Sequence, residues 1–167
     1  MDKRKRNRGF TLIEILIVIG MIAILASVVL IAINPLRQFA QARNSQRISN
    51  VNAILNAVGN RTAEHKGIFT DTSGLCQTPI PTTETAMSGS AFHGFDIRPC
   101  LVPTYISELP YDPVGGSNSC TTDSCSGELY DTRYTIKQDT NGRITVCAPN
   151  AGNETSIEGS APYCLTR

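Results

Sequence analysis

The sequence predicts an α+β protein, in which a long N-terminal helix packs on a small C-terminal antiparallel sheet that disulfides support. Three observations predict it: an unbroken apolar run near the N-terminus, a helical repeat of apolar residues after it, and alternating residues between turn signals near the C-terminus. With 167 residues the chain has room for one modest globular body beside the apolar run.

The apolar run is long enough to cross a membrane. Ile15 to Ile33 are 19 consecutive uncharged, mostly aliphatic residues, and a bilayer core of about 30 Å needs a helix of this length. The leader, residues 1–9, carries five basic residues, which favour a cytoplasmic N-terminus and a body outside. A cleaved secretory signal has a shorter apolar region and an A-x-A-like site. We therefore expect an anchor that stays attached.

One carboxylate, Glu14, interrupts the apolar segment. A charge near the middle of a membrane costs about 2.5–3.5 kcal/mol, so Glu14 either lies near the lipid headgroups or has a partner. Cleavage between Gly9 and Phe10 would create an α-amino group four residues before it, on this chain and on every neighbouring copy. An ammonium–carboxylate pair is favoured over either charge alone in an apolar setting.

The string R-G-F-T-L-I-E at residues 8–14, followed by the aliphatic run, resembles the class III signal of type IV pilins and type II secretion pseudopilins. The resemblance implies that a prepilin peptidase cuts after Gly9 and methylates Phe10, and that Glu14 pairs with the Phe10 amino group of a neighbour. It also implies a helical homopolymer, an inner-membrane assembly platform and a motor ATPase. The precursor would lie in the inner membrane, and the filament in the periplasm or outside the cell.

Residues 10–33 are predicted as the membrane and filament-core half of the helix, and residues 34–66 as its amphipathic half. Pro35 should kink the helix, and the resemblance makes it a candidate hinge. The arginines of the second half (Arg37, Arg43, Arg47 and Arg61) have two interpretations. They solvate the outer face, or they pair with the acidic body of another subunit.

Residues 67–167 are predicted as a β headgroup whose first part, 67–128, is rich in loops. Within it, residues 105–116 resemble the L-P-x-D-P stretch that leads into the sheet of major pseudopilins and related bacterial pilins. Alternating residues and an Asn-Gly turn predict a hairpin over residues 130–148.

The six cysteines are even in number and lie beyond the apolar run, which favours disulfides over a zinc site because no C-x-x-C pair exists. The spacing suggests Cys76–Cys100 and Cys120–Cys125, among 15 connectivities for six cysteines. The resemblance implies Cys147–Cys164, since type IV pilins often have a disulfide-bounded C-terminal loop.

The sequence shows no catalytic constellation, phosphate loop or dinucleotide fingerprint, so we expect a structural protein without a cofactor. Without its leader the chain has 10 basic and 13 acidic residues, a net charge of −3, which does not favour strong nucleic-acid binding. Major pseudopilins bind calcium in their C-terminal half, and this chain has scattered acids there, without their clear spacing. These acids are Asp112, Asp123, Glu128, Asp131 and Asp139.

Two alternatives to a pilus subunit remain open. In the first alternative, the chain is a periplasmic pseudopilin of a type II secretion-like system. In the second, it is a monomeric binding domain on a single-pass anchor. Replacing Glu14 by Ala distinguishes the last alternative, because a filament needs the carboxylate and a simple anchor tolerates its loss.

Overall fold

The computed structural model describes residues 9–32, 34–71, 74, 76–89, 94–118 and 130–167. The helices in this part of the chain are α1 (Leu12–Ala32), α2 (Pro35–Glu64) and α3 (Arg98–Leu101), with a 3₁₀ helix over Pro149–Asn153. The strands are β1 (Thr85–Ser88), β2 (Ser117–Asn118), β3 (Tyr130–Gln138), β4 (Ile144–Ala148) and β5 (Tyr163–Thr166). Residues through Gln38 form one compact unit and Phe39–Arg167 form another, which we call the head.

The sequence Asn34-Pro35 begins a helix. α1 ends at Ala32, and the Asn34 side-chain oxygen accepts a hydrogen bond from the backbone N–H of Arg37 at 3.2 Å. Asparagine is a preferred N-cap, and proline suits the first helical position because its missing N–H has no partner there. The expected kink of one helix is therefore an interruption between two helices, and a hinge motion at Pro35 stays a prediction.

α2 ends in a Schellman motif. The Gly67 N–H donates to the Thr62 carbonyl at 2.8 Å and the Lys66 N–H to the Ala63 carbonyl at 3.4 Å. Lys66 has the left-handed φ of 56° that this motif requires, and Gly67 follows with a φ of 92°. α2 thus ends at Glu64, two residues before the predicted boundary at residue 66.

The sheet of the head is antiparallel, in the order β1-β3-β4-β5, with β2 also paired to β3. β3 and β4 form a hairpin in which Thr135 lies opposite Cys147 and Gln138 opposite Ile144. Region 67–128, expected to be rich in loops, contributes β1, β2 and α3. These elements have two to four residues each, too few to show a periodic pattern in the sequence.

The core of the head joins one face of α2 to the sheet. Val51, Ile54 and Val58 of α2 are fully buried in one cluster with Tyr134 and Val146 of the sheet. This arrangement confirms the predicted fold class, an α+β protein with a helical segment on a small antiparallel sheet.

Two disulfides support the head. Cys76 bonds Cys100 and Cys147 bonds Cys164, two of the three pairs named from the sequence. The first ties the segment that holds Cys76 to α3, within region 67–128, and the second joins β4 to β5 across the sheet. The third pair, Cys120–Cys125, lies outside the described residues.

Candidate functional site

The peptide bond between Gly9 and Phe10 lies before the first helix. Both residues are exposed and outside regular secondary structure, and α1 begins at Leu12. A Cβ built on Gly9 would meet no atom within 4 Å. Nothing in the described chain therefore requires glycine at position 9, which makes this residue a candidate for recognition by another protein.

Glu14 lies in the first turn of α1. Its backbone N–H donates to the Thr11 side-chain oxygen at 3.3 Å, the cap that a Thr-x-x-Glu sequence makes at a helix start. A carboxylate in this turn is also favoured by the positive end of the helix dipole. The Thr-x-x-Glu spacing in the sequence could have identified Thr11 as the helix cap. This cap, three residues before Glu14, fixes the start of α1.

α1 exposes an apolar surface along its whole length. Its large apolar side chains between Leu12 and Leu30 are 46% to 83% exposed. Leu12–Leu30 is a helix of 19 residues with a mean hydropathy of 2.9, long and apolar enough to cross a membrane. A surface of this kind is stable in water only if a membrane or another protein covers it.

Residues 4–30 match the family model described as the prokaryotic N-terminal methylation motif. The chain carries the signal segment of a type IV pilin- or pseudopilin-like precursor. This match confirms the resemblance drawn from residues 8–14, and it places residues 4–9 of the leader, Phe10 and Glu14 inside one motif. Residues 31–167 lie outside it, so the motif does not assign the head a role. The comparison with curated proteins and the comparison with solved structures each gave no match.

A buried ion network joins α2 to the rest of the head. Arg47, 1% exposed, donates to Asp112 at 2.7 and 3.1 Å and to Glu154 at 2.6 Å. Arg43 donates to both carboxylate oxygens of Glu154, at 2.8 and 2.5 Å. Two guanidinium groups and two carboxylates thus compensate one another, and three segments distant in sequence meet at one point of α2.

The network shifts the pKa values of Glu154 and Arg47 in the direction that favours the charged form of each side chain. The Arg43 hydrogen bonds, with those of Arg47, hold the pKa of Glu154 at about 2, below its usual 4.5, although burial opposes this. Burial lowers the pKa of Arg47, and the hydrogen bonds with Asp112 and Glu154 more than offset it, so that this pKa is raised. Glu154 and Arg47 therefore stay charged at neutral pH.

The L-P-x-D-P stretch provides one carboxylate of this network. Leu109 is buried in the core, and Asp112 is fully buried beside Arg47. The Asp112 side chain also accepts the Val114 N–H at 2.8 Å, which closes a turn. A Cβ on Gly116 would lie 2.6 Å from the Asp112 backbone nitrogen and oxygen, so only glycine fits this close approach. The motif thus positions a buried acid for Arg47.

Three of the four arginines of α2 bind carboxylates of their own chain, which corrects both interpretations of them. Besides the pairs of Arg43 and Arg47, the buried Arg61 donates to Asp71 at 2.9 Å and to the carbonyls of Phe69 and Cys100. Glu154, which two of these arginines share, has no signal in the sequence. It lies 107 residues beyond Arg47 in an irregular segment, and only the folded chain brings the two together.

The acidic residues considered for calcium do not form a metal site within the described ranges. Each acid of that set which the structure describes lies within 3.0 Å of an arginine: Asp112 of Arg47, Asp131 of Arg133, and Asp139 of Arg143. Asp123 and Glu128 lie outside the described residues. The expectation of no cofactor, with calcium as the alternative, therefore stays a prediction.

Proposed function

We propose that the chain is the structural subunit of a type IV pilus-like filament. A prepilin peptidase cuts it after Gly9 and methylates Phe10, and the mature chains polymerise through α1. The observation that carries the proposal is the combination, in one motif, of an accessible Gly9–Phe10 bond, an exposed apolar helix and one carboxylate in its first turn.

The exposed helix supports polymerisation, because α1 has two environments that can cover its apolar surface. Before assembly the membrane covers it, and the basic leader keeps the N-terminus in the cytoplasm. After assembly the α1 helices of other copies cover it, with Glu14 beside the new amino group of a neighbour. Extraction by the platform and the motor ATPase would link the two states.

The proposed role is structural and not enzymatic. Arg43, Arg47, Asp112 and Glu154 neutralise one another in the network that fixes α2, and the buried Arg47 and Asp112 bind protein groups. A periplasmic pseudopilin is the second candidate, because the processing signal and the L-P-x-D-P stretch of residues 105–116 resemble those of pseudopilins as well as those of pilins. A monomeric anchored domain has less support, because it gives Glu14 no partner.

The first test is mass spectrometry of the N-terminal peptide in material sheared from the cell surface. We expect a chain that begins at methylated Phe10. Finding this mature chain only in the envelope would favour the pseudopilin, and an uncut leader in every fraction would refute processing.

The second test replaces Glu14 by Ala and by Gln in the full chain. Both variants should be cut, since the cleaved bond is unchanged, and both should fail to assemble because the amino group loses its carboxylate. Ser27→Ala, in the same helix, is the matched control and should assemble normally. Normal assembly of Glu14→Ala would contradict the proposal.

A further inference from the structure

A polar pocket of about 350 Å³ opens on the head beside the buried ion network. The described residues that line it are three arginines, two asparagines and Glu154, with Val114 and Gly115. All of them belong to the head. The volume is at the lower end of the range for small-molecule sites, and the lining suits a small ligand that forms hydrogen bonds.

The hydrogen-bonding groups that this pocket leaves open are mainly donors. Arg43 uses Nε and Nη2 for Glu154, and its Nη1 meets no acceptor within the described part of the chain. Arg133, with a side chain that is 55% exposed, uses Nε for Asp131 and for the Gly115 carbonyl. Neither of its terminal nitrogens meets an acceptor among the described residues. Both oxygens of Glu154, by contrast, already accept from arginines.

The charges of this cluster are balanced. Three carboxylates, those of Asp112, Asp131 and Glu154, compensate the three arginines of the pocket. Of the three acids, Glu154 alone lines the pocket, and its oxygens are occupied. An anion that enters therefore meets open guanidinium N–H groups, whose fork matches a carboxylate. Directed hydrogen bonds, more than a long-range field, would hold such an anion.

Arg133 is held in an unusual backbone conformation. Its φ is 61°, in the left-handed region that residues with a bulky side chain adopt only at a cost. The pairing of β1 with β3 shifts register beside it, between Ala86 and Ser88, and bulges of this kind re-aim side chains next to functional sites. Glycine would avoid the cost. The backbone alone thus favours glycine at this position, which makes the arginine side chain a candidate for binding.

We propose that this pocket binds a carboxylate that also carries hydroxyl groups, the chemistry of a uronic acid. The terminal nitrogens of Arg133 and Nη1 of Arg43 donate to the carboxylate, and such charge-assisted bonds are stronger than neutral ones. The Asn153 side chain donates to Asn150, and its oxygen is open to a hydroxyl group of the ligand. The site lies wholly within the head, so it goes beyond the proposed function and does not depend on polymerisation.

The test is calorimetric titration of the full chain, solubilised in a zwitterionic detergent, with sodium glucuronate. Glucuronate should bind at least tenfold more tightly than glucose, which lacks the carboxylate, and than acetate, which lacks the hydroxyl groups. A glucuronate oligomer distinguishes the sources of this chemistry: tighter binding than the monomer indicates a polysaccharide ligand, and equal binding per sugar a free acid. Acetate binding as tightly as glucuronate, or no binding of glucuronate, would overturn the assignment.

Two methionine variants form a matched pair. In wild type, Nε of Arg133 and Nε of Arg143 each lie 3.0 Å from an aspartate oxygen, on side chains that are 55% and 64% exposed, and Arg143 lies outside the pocket. Arg133→Met should weaken glucuronate binding at least tenfold, and Arg143→Met should leave it unchanged. Equal affinities in these two variants would show that the site is wrongly assigned.

Arg133→Gly separates binding from folding. It should lose binding as Arg133→Met does, yet have a higher urea midpoint than that variant, because glycine adopts a left-handed φ freely. Binding would then follow the arginine side chain and not the stability of the head. If Arg133→Gly lowered the midpoint below that of Arg133→Met, Arg133 would support the fold, and the binding role would be refuted.

Discussion

The buried network predicts a large loss of stability when Arg47 is replaced by Met. Asp112 is 0% exposed and would lose two hydrogen bonds and its cation, and Glu154 would lose one of its two arginines. Breaking a buried ion pair by removing one partner costs about 3–5 kcal/mol. Small domains are stable by about 5–15 kcal/mol, so this loss would remove a large share of the total.

The matched control is Arg143→Met. Arg143 also binds an aspartate, Asp139, at 3.0 Å, but its side chain is 64% exposed, and exposed pairs contribute about 0–1 kcal/mol. The two variants thus compare the same chemistry at different burial.

The assay is urea unfolding of the detergent-solubilised chain, followed by near-ultraviolet circular dichroism of its five tyrosines. The slope of the unfolding free energy against urea concentration should be the same in all variants, so that differences in the urea midpoint report differences in stability. Arg47→Met combined with Asp112→Asn should cost less than the two separate losses together, because the second change removes the uncompensated charge. Equal losses for Arg47→Met and Arg143→Met would refute the reasoning.

Three further predictions follow from the head. The pKa of Glu154 is about 2 in the folded chain, against an ordinary value of 4.5. Its contribution to the free energy of unfolding, about 3 kcal/mol, is therefore present above pH 4.5 and is lost as the pH falls towards 2. Urea midpoints at several pH values should show this loss, and Glu154→Gln should make the midpoint depend less on pH. Gly116→Ala should lower stability by about 1–3 kcal/mol, since its Cβ would collide with backbone, while Gly59→Ala, where the space is open, should not. Under mild reduction, alkylation should label exposed Cys164 before Cys76 and Cys100, which are both buried; simultaneous labelling would mean that the head opens as a whole.

The sequence was sufficient for the N-terminal segment because its signals are local. A basic leader, a glycine, a carboxylate and an apolar run act through spacing along the chain, and the matched family model covers residues 4–30 of this segment. The β3–β4 hairpin was also readable, because its alternation and turn residues are neighbours in sequence. Short elements such as β2, with two residues, had no such pattern and form only because β3 pairs with them.

The roles of the α2 arginines were decided by the tertiary structure alone. Arg47 pairs across 65 residues to Asp112 and across 107 to Glu154, and no local pattern specifies partners at such separations. A guanidinium group on a helix looks the same in sequence whether it faces water, a neighbour or a buried acid. The sequence therefore determined the apolar segment and the methylation motif that contains Gly9 and Phe10, and folding determined which charges are buried, because burial depends on the segments that surround each side chain.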